Sequence, residues 1–253
     1  MNAVGTRTLL GKEIRRFSKV WLQTVLSPLV TTSLYFLVFG VALGARLDRI
    51  DGVPYIEYVI PGLVMLAMIS NAFLNSSSSL FQSKVNGTSV DMMVAPLGPS
   101  EILFAYVSAS VLRGHAVGLM VWLVATLFVG PRVENLLWTL SFSFVVTVIF
   151  GAFGVLVATW AQKFDHLAVV PNFVLTPLTF LGGVFYSVDM LPDPWSTVSR
   201  FNPVFYMVNG LRFGMLGISD VNPALSLGIL LVLALFILWG AKRSIADGAR
   251  LRL

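Results

Sequence analysis

The chain contains no cysteine and two histidines, and charged side chains make up 11% of its 253 residues. Without cysteine there is neither a disulfide framework nor a thiolate metal site. His115 and His166 stand far apart in sequence with no cluster of further ligands around them, which leaves a metal centre without support. No phosphate-binding G-x-x-x-x-G-K-[ST] occurs: Gly11-Lys12 is followed by Glu13 and lacks the earlier glycine. H-E-x-x-H and G-x-S-x-G are missing too, so no hydrolytic centre and no bound cofactor are expected on this chain. Soluble domains carry about a quarter charged residues. At 57% apolar and a mean hydropathy of +0.85, this chain is not one of them.

What is present is length without charge. Windows 20–45, 58–83, 135–162, 166–188 and 221–241 hold no charged side chain, and a sixth apolar stretch, about 102–131, is broken by Arg113 beside His115. Crossing a hydrocarbon core about 30 Å thick takes about 20 apolar residues in a helix. An all-α membrane protein follows, a single domain over 1–253 with six spans at 21–44, 58–81, 102–130, 135–161, 167–187 and 223–241. With both termini cytoplasmic, 11 Lys and Arg fall inside and five outside, and the acids divide five to seven. That asymmetry fits an even number of spans. A pI near 9.7 therefore points to a bilayer surface and not to nucleic acid. The first apolar run is too long for a secretory signal core and is read as an uncleaved span.

Residues 1–20 place Leu9, Leu10, Ile14 and Phe17 opposite Arg7, Lys12, Arg15, Arg16 and Lys19, as in an interfacial helix or a plain basic anchor. Span 2 carries Pro61-Gly62 near its start and a stripe of Asn71, Asn75 and Ser79 four residues apart, serving either interhelical packing or a substrate path. Between spans 2 and 3, Thr88 or Ser89 can cap a short helix that Pro96 stops. Asp91, Met92, Met93, Val94, Ala95 and Pro96 would then offer an adaptable contact surface. In span 3, the intramembrane Arg113 either snorkels as an anchor or meets substrate, with anchoring the plainer reading, and Gly114 and Gly118 permit a close helix approach. Pro171 and Pro177 mark span 5 as a bent, hinge-like element. Residues 188–220, with Trp195 and Tyr206, are too broken to span and too apolar for a free loop, and are read as an external re-entrant or interfacial helical pair.

The run Pro177-Leu178-Thr179-Phe180-Leu181-Gly182-Gly183-Val184-Phe185-Tyr186-Ser187, with Leu191-Pro192, Asn202-Pro203, Tyr206, Gly210, Arg212 and Gly217, resembles the signature region of type 2 ABC transporter permeases, drug-resistance and nodulation-factor export subfamily. Glu13 to Phe17, Pro61-Gly62 and Ala95-Pro96 extend the resemblance over nearly the whole chain. It implies a permease subunit of an exporter of an amphipathic, lipid or glycan-type substrate in the plasma (inner) membrane, paired with a second permease, either another copy as a homodimer or a close relative. A cytoplasmic ATP-binding cassette subunit would carry ATP and Mg. It also implies that residues 84–96 form the coupling helix seated on that subunit and that spans 2 and 5 border the path, for which Asn71, Asn75, Ser79, Phe180 and Phe185 are the candidate lining residues. The family's two acids and two leucines in the coupling helix correspond here to Val90, Asp91, Met92 and Met93, one acid fewer. The rival readings are an ion-coupled secondary transporter, which would want carboxylates inside the spans, and a membrane scaffold for an ATPase that moves nothing.

Overall fold

The computed structural model describes residues 2–43, 49–130 and 132–248. Arg46 and Asp48 of the first external loop, and Arg250 and Arg252 of the basic tail, lie outside the described residues. The architecture is helical throughout apart from a two-residue hairpin, β1 (Arg49–Ile50) with β2 (Val53–Pro54).

Helix α1 (Ala3–Lys19) is capped by Asn2, whose side chain accepts from the Gly5 amide, and it ends on Arg16 and Lys19, which complement the negative end of the helix dipole. After one residue the chain continues as α2 (Trp21–Tyr35) and a π-helical run, Phe36–Leu43. The centre of the molecule is α3 (Tyr55–Val85), whose apolar window is 72% buried. Its 31 residues extend about 46 Å, more than a hydrocarbon core is thick, so its ends reach both surfaces. Around it stand α5 (Pro99–Ala125) and α6 (Leu136–Trp160). The short α4 (Thr88–Val94) sits between α3 and α5, opened by Gly87 in the left-handed region, where a side chain would be strained. The α5 glycines are used as the spacing predicts: a Cβ on Gly114 would lie 2.7 Å from Thr147 of α6, and one on Gly118 2.6 Å from Met68 of α3.

Span 5 is continuous where its two prolines allow either a bend or a break. Residues Phe164–Leu181 stay helical as α7 (Phe164–Val169), a π-helical run (Val170–Leu175) and α8 (Thr176–Leu181). Pro171 and Pro177 lie inside this continuous helix, each just after a change of helical register. Around Pro171 the helix widens: the Thr176 amide and hydroxyl both reach the Pro171 carbonyl. The helix stops at Leu181, short of the sequence-based end at 187, because Gly183 turns the chain at φ +73. That turn lies directly on Gly62 of α3, where any Cβ would come within 2.5 Å of the Val184 carbonyl oxygen.

The segment 188–220 forms a 3-10 turn (Val188–Met190), α9 (Trp195–Phe201) and α10 (Pro203–Leu216). At 14 residues, α10 is about 21 Å long and too short to cross. Asn202-Pro203 is a cap followed by an N1 proline: Asn202 accepts from the Val204 amide at 2.9 Å. Finally α11 (Pro223–Ala246) packs on α6 and α10 with little of its surface buried. Among the described residues, five helical stretches are long and apolar enough to cross a membrane: α3, α5, α6, Phe164–Leu181 and α11. A shorter apolar helix, Leu26–Phe39, fills the first window.

Candidate functional site: a polar cavity beside α3

A cavity of about 540 Å³ lies between α2 and α3, reaching Arg16 on α1 and Arg113 on α5. Its walls are mixed. Hydroxyls and an amide from Ser27, Thr31, Ser70 and Asn71 alternate with Leu63, Leu66 and Leu74. Such a lining accepts a molecule with both polar and apolar parts.

The α1 end of the cavity is built by long-range polar contacts. Glu13 is fully buried, and its Oε2 accepts from the Ser79 hydroxyl at 2.6 Å and from Arg16 Nε at 3.2 Å. Arg16 also donates through Nη2 to the Asn75 carbonyl and side-chain oxygens, both at 2.9 Å. Asn75 Nδ2 in turn donates to Ser110 Oγ at 3.2 Å. A buried carboxylate is costly unless paired and hydrogen-bonded; Oε2 has such partners, while the buried Oε1 has no hydrogen-bond partner among the described residues. The amphipathic α1 is thus tied to α3 by charge, while Leu9 joins the buried apolar cluster that includes Leu80, Phe81 and Ile102, and the body of α1 packs along α5. Its N-terminus is held by Glu101, whose carboxylate accepts from the Asn2 amide and, at 2.6 Å, from the Gly98 amide.

This geometry revises the polar stripe. Only Asn71 faces the cavity, with its own amide donating to the Ala67 carbonyl at 3.0 Å. Asn75 and Ser79, expected to line a path, are buried and committed to α1, because Glu13 and Arg16 need them. Arg113 stands in the cavity wall, half-buried, and its Nε has no partner among the described residues. Thr24 Oγ1, also in the wall, is likewise buried and unpartnered among them. Phe185 is buried at the far end, stacked on Phe39 at 4.3 Å between ring centres and packed against Tyr35 and the half-exposed Phe180 at 5.6 Å each. Because Tyr35 is itself in the cavity wall, Phe180 and Phe185 belong to the aromatic cluster that closes that end, outside the lining itself. Pro171 and Pro177 lie on the weakly buried Phe164–Leu181 helix.

At the α1 end of the molecule α4 presents a divided face. Asp91, Val94 and Pro96 are exposed, Val94 at 81%, while Met93 and Ala95 are half-buried. Met92, read from sequence as part of the contact surface, points inward instead: it is 7% exposed and takes a contact from the Tyr106 hydroxyl at 3.6 Å. Just before α4, at the end of α3, the Lys84 ammonium donates to the Ala158, Thr159 and Ala161 carbonyls at 2.8–3.2 Å and so caps the end of α6. His115 is tied to Ser143 at 3.1 Å.

At the opposite end Arg212 is entirely enclosed. Its guanidinium lies 4.0 Å from the Tyr58 ring centre, donates to the Gly183 carbonyl at 2.6 Å and sits 3.7 Å from Asp220. Burial pushes the Asp220 carboxyl above its ordinary range, and Arg212 opposes that push. The arginine and glycines of the sequence signature therefore join α3, the Gly183 turn and α10 into one plug beside the aromatic cluster.

Residues 5–216, from α1 to the end of α10, match the family described as ABC-2 type transporter. The chain belongs to the ABC-2 type transporter family. The inner membrane transport permease YadH of Escherichia coli (strain K12) is 39% identical to this ABC-2 chain over 229 residues, 90% of each. Nodulation protein J of Rhizobium leguminosarum bv. viciae is 24% identical over 218 residues, 85% of this chain and 84% of that protein. Nodulation protein J of Sinorhizobium fredii is 25% identical over 227 residues, covering 87% and 86%. The ABC-2 match and the apolar helices make this a multi-pass membrane protein, a transmembrane permease as the signature residues of α8 to α10 lead one to expect. The sequence reading missed Glu13, Arg16 and Thr24 as structural or lining residues. An acid placed among five basic residues was the available signal for Glu13.

Proposed function

We propose that this chain is the membrane-spanning subunit of an inner-membrane exporter, that a separate ATP-binding cassette subunit docks on α4, and that two permeases pair around the path. ATP and Mg belong to that partner, and no catalytic residue is assigned to this chain. The observation that carries the reading is the paired arrangement of α4 and the cavity on one helix. Helix α3 lines the cavity at Asn71 and Leu74 and runs on, without a break, to Lys84 and the base of α4. Movement imposed on α4 is therefore delivered to the cavity wall by a rigid rod. ATP needs only to favour one of two permease arrangements to shift the population between them. The distribution of basic residues supports a cytoplasmic position for the termini and α4.

The test is affinity purification of the tagged chain from native membranes in mild detergent, with mass spectrometry of what comes with it and an ATPase assay of the product. Recovery of an ATP-binding cassette subunit in equal amount, with ATP hydrolysis, is the expected result. A well-folded chain that purifies alone and hydrolyses nothing contradicts it. In favour of a coupled exporter over an ion-driven carrier, the cavity wall contains two arginines and no acid among the described residues.

A further inference from the structure

The cavity wall has an unbalanced charge. Of its two cations, Arg16 is neutralised by Glu13 at 3.2 Å and engaged with Asn75 at 2.9 Å. Arg113 has no carboxylate within salt-bridge distance and leaves a buried Nε unpartnered among the described residues. Thr24 Oγ1 offers a second unused hydroxyl in the same wall. Keeping an uncompensated guanidinium at membrane depth costs several kcal/mol, and nothing in the packing of α5 requires it, since Arg113 is only half-buried and faces the void. Leu63, Leu66 and Leu74 supply apolar surface beside it. A volume of about 540 Å³ lies within the ~300–1,000 Å³ typical of small-molecule sites.

From this juxtaposition we infer that the cavity selects anionic amphiphiles: an oxyanion such as a phosphate ester sits on the Arg113 guanidinium and the Thr24 hydroxyl, and its apolar tail lies along the α3 leucines. An arginine fork matches a phosphate or carboxylate in two parallel hydrogen bonds, which a lysine or a hydroxyl cannot do. The inference deepens the exporter reading by naming the substrate class, and it rests on that reading for the direction of movement only. A second groove, of about 850 Å³ between α5, α6 and α11, is lined by Leu103, Phe104, Trp239 and Lys242 and is the rival location for such a molecule.

Photolabelling of the full chain in phosphatidylcholine nanodiscs decides between them. The probes are a diazirine-bearing dodecyl phosphate and the matching dodecanol, with inorganic phosphate as competitor. Half-saturation is expected at a concentration at least about tenfold lower for the phosphate ester, as one charge-assisted hydrogen bond provides. The label should fall on peptides spanning 20–35 and 63–78. Arg113→Gln should abolish the preference and Arg113→Lys retain part of it. Equal labelling by both probes, label concentrated beside Lys242, full displacement by inorganic phosphate at the same concentration, or a preference unchanged in Arg113→Gln each overturns the inference. Should Arg113→Gln fail to insert, the comparison of probes on the unaltered chain and the position of the label still decide. Binding here needs no ATPase, so a chain that recovers no ATPase removes the exporter reading and leaves this result standing.

Discussion

Glu13 is one carboxylate on a basic helix, yet it organises the α1 end of the molecule. Replacing it by alanine removes the partner of both Ser79 and Arg16 and is expected to cost about 1–3 kcal/mol of local stability. The chain has no native cysteine, so a single Leu9→Cys reports on α1 docking without background. Leu9 is 6% exposed, and a maleimide should label the cysteine slowly in the parent and at least about tenfold faster with Glu13→Ala. Equal rates would show that apolar packing alone holds α1. At the opposite end, Asp220 titrates with a raised pKa because burial outweighs the attraction of Arg212. A carboxyl held above its unfolded value contributes stability that is full below that value and lost as the pH rises through the raised one. Asp220→Asn mimics the protonated group, so its thermal midpoint in detergent should gain on the parent as the pH rises from about 4 to 7. A gap that widens toward acid instead would mean that the Arg212 ion pair outweighs burial. Little of this was legible in sequence: Glu13 and Ser79 are 66 residues apart and Arg16 and Asn75 are 59, and no local pattern announces such pairs.

Among the elements, the long apolar helices were legible because a membrane demands length and the absence of charge, and both can be counted in a sequence. The helix between α3 and α5 was legible from Pro96 just beyond its end, but its cap is Gly87 in the left-handed region and not Thr88 or Ser89, which lie inside the first turn. Its facing was not legible, because seven residues make barely two turns and hold too few positions to fix a face. The outcome is that Met92 is an inward anchor and Val94 the outward apolar tip. Val94→Glu is therefore expected to weaken recovery of an ATPase subunit about tenfold or more while leaving thermal stability nearly unchanged. Met92→Glu should lower stability itself, since it places a charge against Tyr106. If Val94→Glu recovers the partner as the parent does, the docking surface lies elsewhere. Span 5 shows the same limit: two prolines were evident, but whether a helix breaks or widens at proline depends on which carbonyls find other donors, here the Pro171 carbonyl and Thr176.

At the scale of the whole molecule the account joins a polar cavity, closed at one end by Tyr35, Phe39, Phe180 and Phe185, to an exposed helix at the other end through the uninterrupted rod of α3. On the proposed function, ATP bound by a partner docked on α4 changes access to the cavity. The direct measurement is the reactivity of Ser70→Cys, a cavity-wall position, toward a membrane-impermeant maleimide in inside-out vesicles, with and without ATP and vanadate. The account predicts ready labelling without nucleotide and a rate at least about tenfold lower in the trapped state, a shift worth about 1.4 kcal/mol or more in accessible population. A rate that is the same in both conditions, with ATP hydrolysis confirmed in the same vesicles, would contradict it.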